Sequence, residues 1–242
     1  MPMTDPKLEA GLGSPRLGEK RQLSERVAAY LREAIMVGEL PTTGYVRTEH
    51  LAARLGVSAT PVREALMILQ SEGAVRWEPR RGFRMLPPTR QDVDDLFNVQ
   101  AYVAGELAAR AVSGLDASEV AALRATQDAL VEAVLRGETE RVGELNHQVH
   151  RTINRAAGSP RLSSLLNLFV HYVPRNYYDR VAGWADASKR DHEAVLAALE
   201  AGDPEAARAA MVEHIENIGR LLIAHLDRTG AFTRTDLSPT PT

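Results

Sequence analysis

Seven histidines occur among the 242 residues, and helical phase separates them. Around LNHQVHRTIN, the residues Val142, Leu145, Val149 and Ile153 mark an apolar stripe, with Asn146 and His150 one turn apart on its shoulder. His147 falls across that helix with Arg151 and Asn154. His192, in RDHEAVLAAL, shares a stripe with Val195, Leu196 and Leu199, and His214, in AAMVEHIENI, stands in the series Ala207, Met211, Ile218, Leu221. A single histidine on an apolar face reads most simply as a hydrogen-bonded core residue. Three of them, each bringing ring nitrogens to satisfy, are relieved together by one shared cation. Nitrogen donors with one amide oxygen suit a divalent transition ion, zinc or nickel, rather than calcium. An ion held by neutral ligands keeps its double charge, so the pattern predicts a small carboxylate as a further ligand. Arg175, in HYVPRNYYDR, is a candidate bidentate anchor for that carboxylate, with Asn176 and Tyr177 as weaker candidates; a surface arginine is its plainer reading.

The elements that must carry these groups read as helix upon helix. Apolar periodicity places them near 89–113, 116–136, 138–158, 160–178, 185–201 and 203–228, punctuated by Gly114, Gly137, Gly158-Ser159-Pro160, Gly183 and Gly202-Asp203-Pro204. Six such helices cannot each bury a stripe alone and must pack as a bundle.

The front of the chain has a different texture. From Val46 to Met85 it reads VRTEHLAARLGVSATPVREALMILQSEGAVRWEPRRGFRM. Leu51, Ala52 and Leu55 mark a short helix stopped at Gly56. A second helix follows, capped by Ser58 or Thr60, with Pro61 in its first turn and Val62, Ala65, Leu66 and Leu69 as its buried stripe. Val75 and Trp77 alternate with Arg76 and Glu78, and after Pro79-Arg80-Arg81-Gly82 the alternation resumes with Phe83, Arg84 and Met85, a hairpin with a basic tip. A helix-turn-helix with a wing predicts DNA binding, with Ser58, Thr60, Arg63, Arg80, Arg81 and Gly82 as the candidate contacts. An earlier helix is expected from Ser24 to Val37, facing Leu23, Val27, Leu31, Ala34 and Ile35 inward.

Charge follows the same division. Residues 1–88 hold 13 Lys/Arg and 10 Asp/Glu, whereas the remainder holds 16 and 22, so a basic front precedes an acidic back. There is no cysteine, which excludes disulfides and thiolate metal sites. No apolar run approaches the ~18 residues of a membrane span, and the start lacks a signal-peptide core, so a cytoplasmic protein without membrane contact is expected.

Gly56-Val57-Ser58, the unbroken run TPVREAL, Leu69, Glu72-Gly73 and Arg81-Gly82 resemble the winged-helix domain of GntR transcriptional regulators, and the helical remainder resembles the FCD effector domain of their FadR-like branch. The resemblance implies a mainly α protein: an N-terminal winged helix-turn-helix, then an all-α bundle of six or so helices. The expected organisation is a disordered arm over 1–21, a DNA-binding domain over 22–88, an FCD-type effector and dimerisation domain over 89–230, and a flexible tail over 231–242. It implies a homodimer on a palindromic operator in double-stranded DNA, acting as a repressor that answers to a small organic acid. It also implies the metal set, because metal-holding members place Asp or Asn and His four apart on one helix and one His on each of two later helices; Asn146, His150, His192 and His214 fall there. Two departures stand out. Where the family commonly has Arg, then Glu four residues on, this chain has Gln100 and Ala104, which makes Gln100 an effector-site candidate of altered chemistry. Ala59 replaces a frequent Arg or Lys of the recognition helix, which puts the usual operator in doubt. Two rival readings use the same histidines: an all-α metalloenzyme, which leaves the winged helix unexplained, and a regulator for which the metal itself is the signal.

Overall fold

The computed structural model describes residues 15–36, 40, 45–170, 172–173, 178 and 180–232. The chain divides between Pro87 and Pro88 into two compact units.

The first unit contains α1 (Pro15–Met36), α2 (Thr48–Leu55), α3 (Ala59–Ser71), β1 (Val75–Glu78) and β2 (Gly82–Met85). Gly56 takes φ 67° and turns its N–H back onto the Ala52 and Ala53 carbonyls, which ends α2 and redirects the chain into α3. Val27, Leu31, Leu51, Val62, Leu66, Leu69, Phe83 and Met85 close one core under all five elements. Arg32 of α1 grips Glu72, beyond the end of α3, with Nε 2.9 Å from Oε2 and a terminal nitrogen 2.8 Å from Oε1. The strands pair antiparallel with Val75 opposite Met85 and Trp77 opposite Phe83, and Val46 adds a bridge to Phe83 from the other side.

One expectation needs correction here. The helix begins at Pro15, so residues 15–21 are helical rather than part of an arm. Proline is at home in a helix's first turn, and RLGEKRQLSE is rich in strong helix formers although it lacks an apolar stripe. The rest of the expected arm, residues 1–14, lies outside the described residues, as do 233–242 of the expected tail. That tail's first residue, Ala231, is buried.

The second unit is all helix: α4 (Arg90–Gly114), α5 (Ala117–Arg136), α6 (Thr139–Ala156), α7 (Pro160–Val170), α8 (Trp184–Glu200) and α9 (Pro204–Arg228). Capping boxes start α4 and α5, with Thr89 and Asp92 exchanging side-chain to backbone bonds in one and Asp116 and Glu119 in the other. Asp203 caps α9 ahead of Pro204. Leu107, Leu123, Ile153, Leu196 and Met211 fill the centre. Along α4 and α9 the backbones approach closely: a Cβ at Gly105 would lie 2.7 Å from the Val212 side chain, and one at Gly219 would lie 2.7 Å from Phe97. The helix expected over 160–178 stops at Val170. Tyr172 and Val173 form a turn and a bend, and 171 and 174–177 of the expected span lie outside the described residues.

Candidate metal centre and nucleic-acid interface

Asn146 and His150 come from α6, His192 from α8 and His214 from α9, so three helices deliver the four groups. His192 and His214 are 1% and 2% exposed. One ring nitrogen from each of His150, His192 and His214 falls within 4.8 Å of the others. The Nε2 atoms of His150 and His214 stand 3.2 Å apart. Two zinc-bound nitrogens at tetrahedral corners, ~2.0–2.1 Å from the ion, would be ~3.3 Å apart. The other polar atoms speak the same way. Asn146 Oδ1 and His192 Nε2 are buried without a hydrogen-bond partner, a costly state unless something else meets them. The residues therefore fit a divalent ion.

Their protonation suits it too. Burial, then the neighbouring His214 and His147, pushes the His150 imidazole down to about 3, and burial beside His214 and His150 drives His192 well below the ordinary histidine range. Both rings are neutral at pH 7, with lone pairs to offer. Around them sits a support that phase analysis of the histidines missed. Gln127 Oε1 lies 3.0 Å from His192 Nδ1. Asp191 Oδ2 lies 3.6 Å from His214 Nδ1 and accepts from Asn217 Nδ2 at 2.7 Å. Burial alone would raise the Asp191 carboxyl, but the neighbouring His214 ring and the bonds it accepts from Asn217 and Arg190 outweigh that and bring it to about 2, so it is an anion. Gln127 was findable, because it interrupts the buried series Leu123, Leu130 as the histidines interrupt theirs. Asp191 precedes His192 on α8, and its helical phase turns it away from that ring and toward the histidine of another helix.

His147, half-buried, is not part of the cluster, and His50 is exposed in the other unit. Gln100 is buried, with Nε2 3.5 Å from the Phe169 carbonyl oxygen, and Ala104 is buried on the same helix. Arg175, Asn176 and Tyr177 lie outside the described residues.

In the first unit the candidate contacts are displayed rather than buried. Arg63 extends from α3 with 64% of its side chain exposed, and Glu49 Oε1 stands 4.0 Å from it. Ser58 occupies the N-cap of α3 with extended backbone, yet its side chain makes no capping bond, contrary to the expected cap, and Thr60 is exposed one turn edge further on. The wing tip is a turn closed by Arg81 N donating to Glu78 O at 3.1 Å, with Pro79 second and Arg80 third. Arg80 takes φ 65° there, a position for which glycine or asparagine is the usual choice. Arg81 donates to the Tyr45 hydroxyl at 3.1 Å and lies over its ring, and Tyr45 donates to Glu78 at 2.8 Å. Gly82 serves the backbone: at φ 110°, a Cβ would meet Val46 O at 2.7 Å. Between α3 and the wing runs a cleft lined by Arg47, Arg63, Met67, Trp77 and Arg80. Tyr45, Met67 and Trp77 were not among the expected contacts.

A basic winged helix-turn-helix joined to a helical body with a buried ligand site defines a DNA-binding, ligand-responsive transcriptional regulator. Comparison with known proteins makes the assignment definite. Residues 23–85 match the family described as bacterial regulatory proteins, gntR family, and residues 95–217 match the FCD domain. The chain belongs to the GntR family, with an FCD domain as its body. It is similar to the HTH-type transcriptional regulator McbR of Escherichia coli strain K12, 27% identical over 211 residues, covering 85% of this chain and 95% of that protein. It is also similar to the Exu regulon transcriptional regulator of the same organism, 29% identical over 225 residues, covering 82% and 84% respectively. The solved structure of E. coli McbR/YncC superposes with a TM-score of 0.61 at 25% identity, covering 82% of this chain and 96% of that one. This is the architecture of regulators, not of enzymes, which removes the metalloenzyme reading. Among the described residues, no helix is long and apolar enough to cross a membrane.

Proposed function

We propose that the body holds one divalent transition ion, zinc or nickel, through His150, His192, His214 and Asn146, and that a small carboxylate completes the coordination and adjusts operator binding. The observation that carries this reading is the grouping of His150, His192 and His214 ring nitrogens within 4.8 Å of one another, with His192 Nε2 left without a protein partner; the equally unpartnered Asn146 Oδ1, one turn before His150 on α6, is the amide candidate. Asp191 offsets part of the ion's charge from behind His214, and a carboxylate effector supplies more. Ser58, Thr60, Arg63, Arg80 and Arg81 meet the DNA, and Gly82 shapes the wing that carries two of them. Arg175 is the sequence's candidate for holding the effector's far end.

The regulator works as a homodimer that represses from a palindromic site, because paired heads double the contact on DNA. Exposed apolar side chains support pairing through the body: Val99 and Tyr102 on α4 and Leu165 and Leu168 on α7, two helices packed side by side.

The test is elemental analysis of the purified protein together with operator titration under three conditions: metal-free, metal-loaded, and metal-loaded with a panel of small carboxylic acids. One equivalent of metal and a change in affinity on adding an acid are expected. Affinity that follows metal alone identifies the ion as the signal, and metal-free protein that refuses zinc and nickel ends the reading.

A further inference from the structure

Gln127 is fully enclosed, with 0% of its surface exposed, on a face of α5 otherwise made of Leu123, Leu130 and Ala133. Its amide has two contacts. Nε2 donates to the Lys189 carbonyl oxygen at 2.9 Å, and Oε1 lies 3.0 Å from His192 Nδ1. The first contact decides the second. A carbonyl oxygen only accepts, so the amide NH2 must face Lys189 and the amide oxygen must face the histidine. That oxygen also only accepts, so His192 Nδ1 must carry the ring proton. A neutral imidazole protonated at Nδ1 has its lone pair on Nε2. Nε2 is the atom left buried without a protein partner, on a ring whose centroid lies 5.1 Å from that of His150 and 4.7 Å from that of His214.

Resting on the metal reading above, we propose that Gln127 is a positioning residue that holds His192 in the Nδ1-protonated tautomer and so presents Nε2 to the ion. The other fully buried ligand is backed differently: His214 Nδ1 faces the carboxylate of Asp191, itself steadied by Asn217. An outer carboxylate makes a ligand more basic and adds negative charge, whereas an amide orients the ring and leaves the charge unchanged. Gln127 therefore acts on ring orientation and proton placement, and the two histidines are not interchangeable as ligands.

The experiment uses the full chain with 15N-labelled histidine, stripped of metal and held at pH 7.5. Long-range 1H–15N spectra, with His192→Ala to assign the ring, report which nitrogen bears the proton. Zinc affinity is measured in parallel by competition with a chromogenic chelator, for the wild type and for Gln127→Met, which keeps the volume and removes both hydrogen bonds. Expected are an Nδ1–H His192 in the wild type, loss of that preference in Gln127→Met, and a 10–100-fold weaker zinc affinity in the variant. An Nε2–H His192 in the wild type, or unchanged zinc affinity in a folded Gln127→Met, overturns the proposal. Should Gln127→Met not fold, the wild-type spectrum alone decides. A wild type that binds neither zinc nor nickel fails the metal reading instead, and the tautomer is still read from the same spectrum.

Discussion

The head and the body arrange their working side chains in opposite ways. In the head, Arg63 and the wing arginines stand in solvent, and what offsets their charge in the free protein is modest: Glu49 4.0 Å from Arg63 and Glu78 3.9 Å from Arg81. In the body, His192 and His214 are withdrawn from water and His150 is half-buried, and two candidate ligand atoms are left without a hydrogen-bond partner. The contrast follows the size of the ligand proposed for each. A duplex brings a row of phosphates that exposed charges reach without deep desolvation, and binding releases counterions. A single ion or small acid can be recognised only by atoms that converge on a point, which requires a core that tolerates unpaired polar groups until the ligand arrives. On the proposed reading, exposed charge marks the large partner and buried unsatisfied polarity the small one.

The largest effect expected of any substitution is in the body. At a thousandfold excess over Kd, metal should stabilise the wild type by ~4 kcal/mol. His192→Ala should abolish that gain in a thermal melt, whereas His147→Ala should keep it; equal loss in both would deny that burial distinguishes the two. Acid should act next. His150 and His192 are held neutral by the fold, so their contribution to stability is complete above the unfolded histidine value near 6.5 and is lost as pH falls toward the folded value, about 3 for His150. Denaturant unfolding of metal-free protein should lose ~1.4 kcal/mol per pH unit for each of the two at the steepest point. A flat profile between pH 6.5 and 4 would mean the rings are not as buried as they look.

On the head, Arg63→Ala should weaken operator binding by about 1–3 kcal/mol while leaving the melting temperature unchanged. Replacing Arg80 and Arg81 together by Ala should flatten the logarithmic dependence of affinity on salt by about two units. The smallest effect separates stability from binding at one residue. Arg80→Gly relieves a positive φ and should raise the stability of the head by at most ~1 kcal/mol, while removing about one unit of salt slope. A variant that is less stable would show that the arginine side chain supports the turn.

Much of this was legible in the sequence because the deciding contacts are periodic or local. The buried stripe of α3, the stop at Gly56 and the alternation of the wing all follow from neighbours within a few residues. The three histidines were separable for the same reason, since phase alone tells which face of a helix is hidden. What escaped depends on distance in sequence or on weak local signals. Tyr45 reaches Arg81 across 36 positions, and Gln127 reaches His192 across 65, and no period connects either pair. The start of α1 at Pro15 was hidden by the absence of a stripe, and the end of α7 by an apolar pattern that continued into Pro174.

The glycine contacts between α4 and α9 have a mechanical side. His214 lies between Val212, pressed on Gly105, and Gly219, pressed on Phe97, so the stretch of α9 that carries the ligand is seated against α4 on both sides of it. The two helices run antiparallel in this register, and the far end of the pair is tied where Arg90, the first residue of α4, meets Asp227. At each point a side chain of one helix, Val212 or Phe97, rests directly on a glycine of the other, which leaves little slack to absorb a shift of one helix against its neighbour. A displacement of His214 toward or away from a bound ion would thus pass along α9 and α4 as a push on a stiff double rod, and it would emerge two residues from the Pro87-Pro88 junction, where the chain enters the head.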